Sequence, residues 1–212
     1  MESLRKSTRD HAGMKDSCCM LGLFSIPALI LYNGGVNEAL EEARSLIRQI
    51  PDFPLPGILF QDLTPLLGHG PSLQAIVSEF VPLASQSDAI AGLEARGFIF
   101  AGALAHSLAL GFIPIRKKGK LPSLTHEESY GLEYGNAIVE IHRDAITPGA
   151  KVLIIDDVLA TGGTALAGIR LVERVGGIVT GVGTVLEIGS LGGRARLHGI
   201  YPTIPIHSIF TI

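Results

Sequence analysis

Val152-Leu153-Ile154-Ile155-Asp156-Asp157-Val158-Leu159-Ala160-Thr161-Gly162-Gly163-Thr164 is the stretch that decides the fold. Four apolar residues with no polar alternation, Val152–Ile155, predict a strand covered on both faces, as in a parallel sheet under helices. Two carboxylates follow at the expected strand end. Thr161–Thr164 then turns into a predicted helix over 163–175. In open α/β sheets, ligands lie beyond the carboxyl ends of the strands. A helix start offers unsatisfied N–H groups and a positive dipole end, which suit an anion, and two glycines let the backbone approach it. Adjacent carboxylates need partners, and ribose hydroxyls or a hydrated Mg²⁺ would serve. No Gly-Lys-Ser/Thr follows, so this is not a Walker loop, and the G-x-G-x-x-G dinucleotide pattern is missing. Thr-Gly-Gly-Thr alone would be compatible with a plain strand–turn–helix joint. The combination of apolar run, acid pair and glycine loop points to a phosphorylated ribose.

Working outward, Val36, Leu40, Ala43, Ile47 and Ile50 recur at helical spacing, which predicts a helix over 37–49. Pro51, Pro54 and Pro56 then impose an extended segment, with a short strand over 57–60. A helix follows Pro71, and Ala89–Leu93 is an apolar strand ending in Glu94-Ala95-Arg96-Gly97. A buried helix over 98–110 and a strand over 111–115 come next. Residues 116–135 are polar and turn-rich, residues 137–141 alternate as a strand, and 178–186 form another. Strands alternating with helices predict an α/β fold, a central, mostly parallel sheet flanked by helices.

The 212 residues allow one domain with an appendage, and the hydrophobic content of 47% with a mean hydropathy of +0.39 argues against disorder for most of the chain. A formal net charge of −3 gives no basis for binding nucleic acid. Arg116, Lys117, Lys118 and Lys120 nevertheless cluster, and a local cluster suits a small anion. Cys18 and Cys19 are adjacent, which is neither a disulfide framework nor a zinc pattern, and a reducing, cytoplasmic setting is expected. Residues 1–35 read as an extension, disordered or loosely docked, or as the product of an upstream start codon. Its apolar run Cys18–Tyr32 is broken by Pro27 and is too short to span a bilayer, so no membrane is expected. The domain proper is expected over 36–212.

The acid pair and glycine loop resemble the phosphoribosyl-pyrophosphate (PRPP) motif of type I phosphoribosyltransferases. Three further segments narrow the resemblance to the adenine-using branch of that family. Ile50–Phe60 is similar to its N-terminal hood, and Gly92–Phe98 to its pyrophosphate loop. Arg116–Pro122 with Tyr130–Gly135 are similar to the two ends of its mobile lid loop. The resemblance implies transfer of the 5-phosphoribosyl group from PRPP to adenine, giving AMP and pyrophosphate with Mg²⁺ as cofactor. It also implies a homodimer. Asp156 and Asp157 would hold the ribose hydroxyls, directly or through Mg²⁺ and water, with no direct metal ligand assigned. Ala160, Thr161, Gly162, Gly163 and Thr164 would hold the 5′-phosphate. Arg96, Lys117, Lys120 and Tyr134 would serve the rest of PRPP. Leu59, through its backbone, and Phe60 and Val158, through their side chains, would meet adenine, and Glu133 would handle the proton at the base. A cis peptide is expected between Glu94 and Ala95.

Two departures stand out: Gln61 replaces a usually basic residue, and Ala101-Gly102 reverses a Gly-Ala order. Another base, such as xanthine, guanine or orotate, is the alternative substrate. A non-catalytic PRPP-sensing regulator is the alternative class, but residues 1–35 carry no winged-helix pattern or basic stripe.

Overall fold

A computed structural model describes residues 35–131 and 136–212. The expected extension therefore lies outside the described residues, except for Gly35. The elements run α1 (Gly35–Ser45), β1 (Arg48–Ile50), β2 (Phe60–Asp62), α2 (Thr64–Leu67), α3 (Gly70–Phe80), β3 (Ala89–Leu93), α4 (Gly97–Ser107), β4 (Gly111–Lys117), β5 (Thr125–Gly131), β6 (Asn136–His142), β7 (Lys151–Leu159), α5 (Gly163–Arg174), β8 (Ile178–Glu187), α6 (Gly193–Ile200) and β9 (Ile206–Thr211). Among the described residues, seven strands form one sheet in the order β5-β6-β4-β3-β7-β8-β9, and β1 and β2 form a separate ribbon. The pairs from β4 to β9 across β3, β7 and β8 are parallel, and β6 is antiparallel to both β4 and β5.

β7 lies between β3 and β8, and its apolar run alternates between two cores. Val152 and Ile154 join the layer under α5, with Leu93, Ile115, Ile169 and Val172. Leu153 and Ile155 join the opposite layer, with Phe80 of α3 and Phe100 and Leu104 of α4. A strand buried on both faces has no room for polar alternation, which is why this run reads as it does.

Three expectations are corrected. The first helix ends at Ser45, because Arg48–Ile50 is recruited as a strand, with Ile50 opposite Phe60. The strand expected over 57–60 is displaced to Phe60–Asp62. Residues 52–58 instead close a turn, in which the Gly57 N–H donates to Asp52 Oδ1 at 2.7 Å and the Phe53 N–H to the Ile58 carbonyl at 3.2 Å. The third correction concerns 116–135, whose described part, 116–131, is not one long loop. β5 pairs with β6 from Thr125↔His142 to Gly131↔Asn136. Its inward side mixes Glu128 with Tyr130, so no hydrophobic alternation reveals it. Glu128 reaches Arg170 at 3.0 Å and Arg174 at 2.7 Å on α5, so ion pairs anchor the hairpin where a hydrophobic stripe usually would.

Ile154 is fully buried at the centre of this arrangement. Ile154→Ala is expected to cost about 2–5 kcal/mol of unfolding free energy. Urea denaturation followed by circular dichroism checks this, with a lowered midpoint and an unchanged slope as the expected outcome.

Candidate active site

β7 outruns its neighbour on one side. Its pairing with β3 stops at Gly92↔Ile155, whereas its pairing with β8 continues to Leu159↔Glu187. Asp156 and Asp157 therefore lie within the strand, with one backbone edge released, and not after its end as expected. The start of α4 fills the released space. A Cβ on Gly97 would stand 3.0 Å from Asp156 Cα, Asp156 Oδ1 and the Ile155 carbonyl oxygen, so a side chain at 97 would force these atoms apart.

Both aspartates are buried, each at 8% exposure. The Asp157 N–H donates to Asp156 Oδ1 at 2.8 Å. Burial, and then the neighbouring Asp157 charge, push the Asp156 carboxyl well above the ordinary aspartate range. Arg96 Nε lies 2.5 Å from Asp157 Oδ2. That approach lacks hydrogen-bond geometry, and Oδ2 stays buried without a hydrogen-bond partner among the described residues. A buried carboxylate oxygen with an ion-pair partner but no hydrogen bond is incompletely satisfied, and a hydroxyl or a metal-bound water could donate to it.

The same arginine reaches the β1–β2 ribbon. Its Nη1 donates to the Gln61 carbonyl at 3.2 Å, and its guanidinium lies 5.1 Å from the centroid of the Phe60 ring. The ribbon has its own lock. Arg48 Nη2 meets Asp62 at 2.6 Å, and the Thr64 hydroxyl and N–H donate to Asp62 at 2.6 and 2.9 Å. The Thr64 hydroxyl, then Arg48, hold the Asp62 carboxyl down at about 2.

A cavity of about 860 Å³ opens between the ribbon and the end of β7. Leu59, Phe60, Gln61 and Arg96 line one side, and Val158, Ala160 and Thr161 the other, with Ile188 and Leu191 beyond. A largely apolar cleft of this size suits a flat heterocycle with a polar tail.

Past Leu159 the chain turns at Gly162, whose φ of +75° favours glycine. α5 then starts with no side-chain cap. Its first N–H groups have no intrahelical partners and remain available to an anion.

Glu94 and Ala95 are joined by a cis peptide, as the resemblance implied. Glu94 accepts from Arg116 Nε and Nη2, both at 3.3 Å, and from the Lys117 N–H at 2.8 Å. Burial alone would raise the Glu94 carboxyl, but these donors outweigh it and hold it below the ordinary value. Lys118 pairs with Glu127 at 2.8 Å. Lys117 and Lys120 are exposed, and neither side chain lines the cavity.

Of the residues read from sequence, the structure gathers Leu59, Phe60, Arg96, Val158, Ala160 and Thr161 around the cavity, and Arg96 links it to Asp157. Asp156 and Gly162–Thr164 lie alongside in the chain. Glu133 and Tyr134 fall outside the described residues. Sequence reasoning missed Ile188 and Leu191, which only the return of β8 brings here. It also missed the Glu94–Arg116 tie, although both sit at carboxyl ends of adjacent strands, where such a pairing was open to view.

Comparison with known proteins agrees with this geometry. Residues 73–195 match the family model described as phosphoribosyl transferase domain. An adenine phosphoribosyltransferase of Jannaschia sp. is 53% identical over 175 residues, 81% of this chain and 96% of that protein. The crystal structure of the adenine phosphoribosyltransferase of Rhodothermus marinus superposes with a TM-score of 0.77 at 50% identity, covering 83% of this chain and 99% of that one. The Saccharomyces cerevisiae enzyme, complexed with an imino-altritol bisphosphate and adenine, gives 0.75 at 36% identity, covering 82% and 99%.

The raised Asp156 carboxyl has a consequence for stability. The folded state holds its proton to higher pH than the unfolded chain, so Asp156 costs stability as pH rises past the ordinary aspartate value of about 3.9. Asp156→Asn keeps the Oδ1 acceptor and removes the charge. Its unfolding free energy at pH 7 is expected to exceed that of the parent, with the gain disappearing below about pH 4. Denaturant titrations across that range check the sign.

Proposed function

The chain belongs to the phosphoribosyltransferase family and, within it, to the adenine phosphoribosyltransferases, and from that premise we propose how its own residues carry the reaction. It transfers the 5-phosphoribosyl group of PRPP to adenine. The bond from ribose C1 to pyrophosphate breaks, the bond from C1 to adenine N9 forms, and the N9 proton is lost. AMP and pyrophosphate leave.

The single observation that carries the reading is the β7 end, where two buried carboxylates lead into an uncapped helix start beside a cavity with room for a purine and more. Phe60 and Val158 offer apolar faces to adenine, and the Leu59 backbone offers a donor–acceptor edge. Ala160–Thr164 hold the 5′-phosphate, and Asp156 and Asp157 receive the ribose hydroxyls. Asp157 Oδ2, ion-paired with Arg96 but without a hydrogen bond, supports that role, because a ligand hydroxyl could donate to it. The protein's task is positioning and charge stabilisation around a ribose that gains positive character.

Mg²⁺ fits the same site as a passenger of the substrate. Among the described residues, no group of three or more His, Cys, Asp or Glu could cage a metal, and Mg²⁺ commonly binds through one or two carboxylates, waters and substrate phosphates. When bound, it neutralises charge on the leaving pyrophosphate. Arg96 is poised to exchange Asp157 for pyrophosphate oxygens, and Lys117 and Lys120 add positive charge from the β4 end. Glu133 is assigned the proton at the base and Tyr134 a PRPP contact.

The working unit is a homodimer in the cytoplasm. Exposed Ile99 and Phe112, beside the Phe98–Phe112 ring pair at 5.5 Å, give a second copy an apolar surface. No helix among the described residues is long and apolar enough to cross a membrane.

The decisive assay is turnover with PRPP and a panel of bases, with and without Mg²⁺. Adenine is expected to be the fastest base and Mg²⁺ to be required, whereas faster turnover of guanine, xanthine or orotate would overturn the substrate. Gly162→Val should lower kcat/KM for PRPP by about 10²-fold or more, since small displacements in a phosphate cradle misplace the reacting carbon. Asp157→Asn should lower turnover strongly while the chain stays folded, as its circular dichroism spectrum checks.

A further inference from the structure

The phosphate loop has a charge problem. From Val152 to Ile169 the chain contains two aspartates and no lysine or arginine. A phosphate ester seated there would bring further negative charge beside Asp156 and Asp157. Backbone N–H groups and a helix dipole offset part of this, but a dipole end is worth only about half an elementary charge. A full positive charge near the loop would have to come from another element.

α6 is built against the loop. A Cβ on Gly193 would overlap the Ala160 carbonyl oxygen at 2.2 Å and the Gly162 nitrogen at 2.9 Å. A Cβ on Gly162 would in turn stand 2.9 Å from the Gly193 carbonyl oxygen. This close contact fixes the start of α6 on the turn. Most neighbouring arginines are already committed to carboxylates. Arg194 is held by Glu187 and the Ile206 carbonyl, Arg96 by Asp157, and Arg170 and Arg174 by Glu128.

Arg196, two residues after Arg194, is different. Its Nη1 donates to the Thr161 carbonyl at 3.3 Å and lies 3.7 Å from where a Gly163 Cβ would be. No carboxylate among the described residues lies within ion-pair distance of it. The guanidinium therefore rests on the rim of the loop, beside the first residue of α5. Tyr130 and the Gly131 carbonyl, from the β5–β6 hairpin, approach the same spot, at 3.1 and 3.2 Å from the Gly163 Cβ position.

We propose that Arg196 is a substrate-binding residue that supplies the positive charge of the 5′-phosphate site, with its remaining N–H groups turned to the phosphate oxygens. The assignment rests on the phosphoribosyl-transfer reading above and adds to it a ligand from outside the loop. The side chain is exposed, so its removal leaves the core intact.

AMP and adenosine differ only by the phosphate, and calorimetric titration of both against the full chain isolates the contribution of Arg196. For Arg196→Gln, AMP affinity is expected to fall about tenfold or more, as for loss of a charge-assisted hydrogen bond, with adenosine affinity within about twofold of the parent. Arg196→Lys should recover part of the loss, and KM for PRPP should rise more than kcat falls. Equal weakening of AMP and adenosine, or unchanged AMP binding, would overturn the assignment. If the unaltered chain bound AMP no better than adenosine, the phosphoribosyl-transfer reading itself would fall, and the role of Arg196 with it.

Discussion

The site depends on one constraint: β7 must stay a strand for four residues beyond the point where β3 leaves it. Pairing with β8 alone carries Asp156–Leu159, and Gly97 at the start of α4 packs into the vacated edge. Two carboxylates are thereby held inside the protein. This costs stability, as the raised Asp156 carboxyl indicates, and the cost persists because the geometry is useful. A ligand that donates hydroxyls to the pair offsets it, so binding and the local electrostatics are two sides of one arrangement.

The remaining parts are arranged around that strand end. Arg96 joins the β1–β2 ribbon to Asp157, so the wall of the base cavity and the ribose site share one guanidinium. The α5 start and the Gly162–Gly193 contact set the phosphate end. The Glu128 ion pairs dock the β5–β6 hairpin on α5, the helix whose first turn bears the phosphate loop. Each contact is modest alone, but together they fix the distance between a base cavity and a phosphate cradle, which is what group transfer demands.

Much of this was legible in the sequence, and the reason differs from element to element. Val152–Ile155 was readable because burial on both faces removes polar residues, leaving an unbroken apolar run. Thr161–Thr164 was readable because a tight left-handed turn before a helix favours glycine. The β5 strand was not readable, because its inward residues, Glu128 and Tyr130, face an ion-pair network and a neighbouring helix, so no hydrophobic alternation forms. β1 was lost to the helical period of Leu40, Ala43 and Ile47, which continues on paper to Ile50 although the chain has left the helix at Ser45. Ile188, Leu191 and α6 were missed as site components for a topological reason. β8, parallel to β7, brings them back to the loop from far along the chain, and local pattern carries no trace of that return.

The most direct measurement is a crystal structure of the full chain with AMP bound. The phosphate is expected within about 3 Å of the N–H groups of Gly162–Thr164, the ribose hydroxyls on Asp156 and Asp157, and adenine between Phe60 and Val158. AMP seated with its phosphate away from this loop, or with the aspartates left without a ribose contact, would contradict this placement.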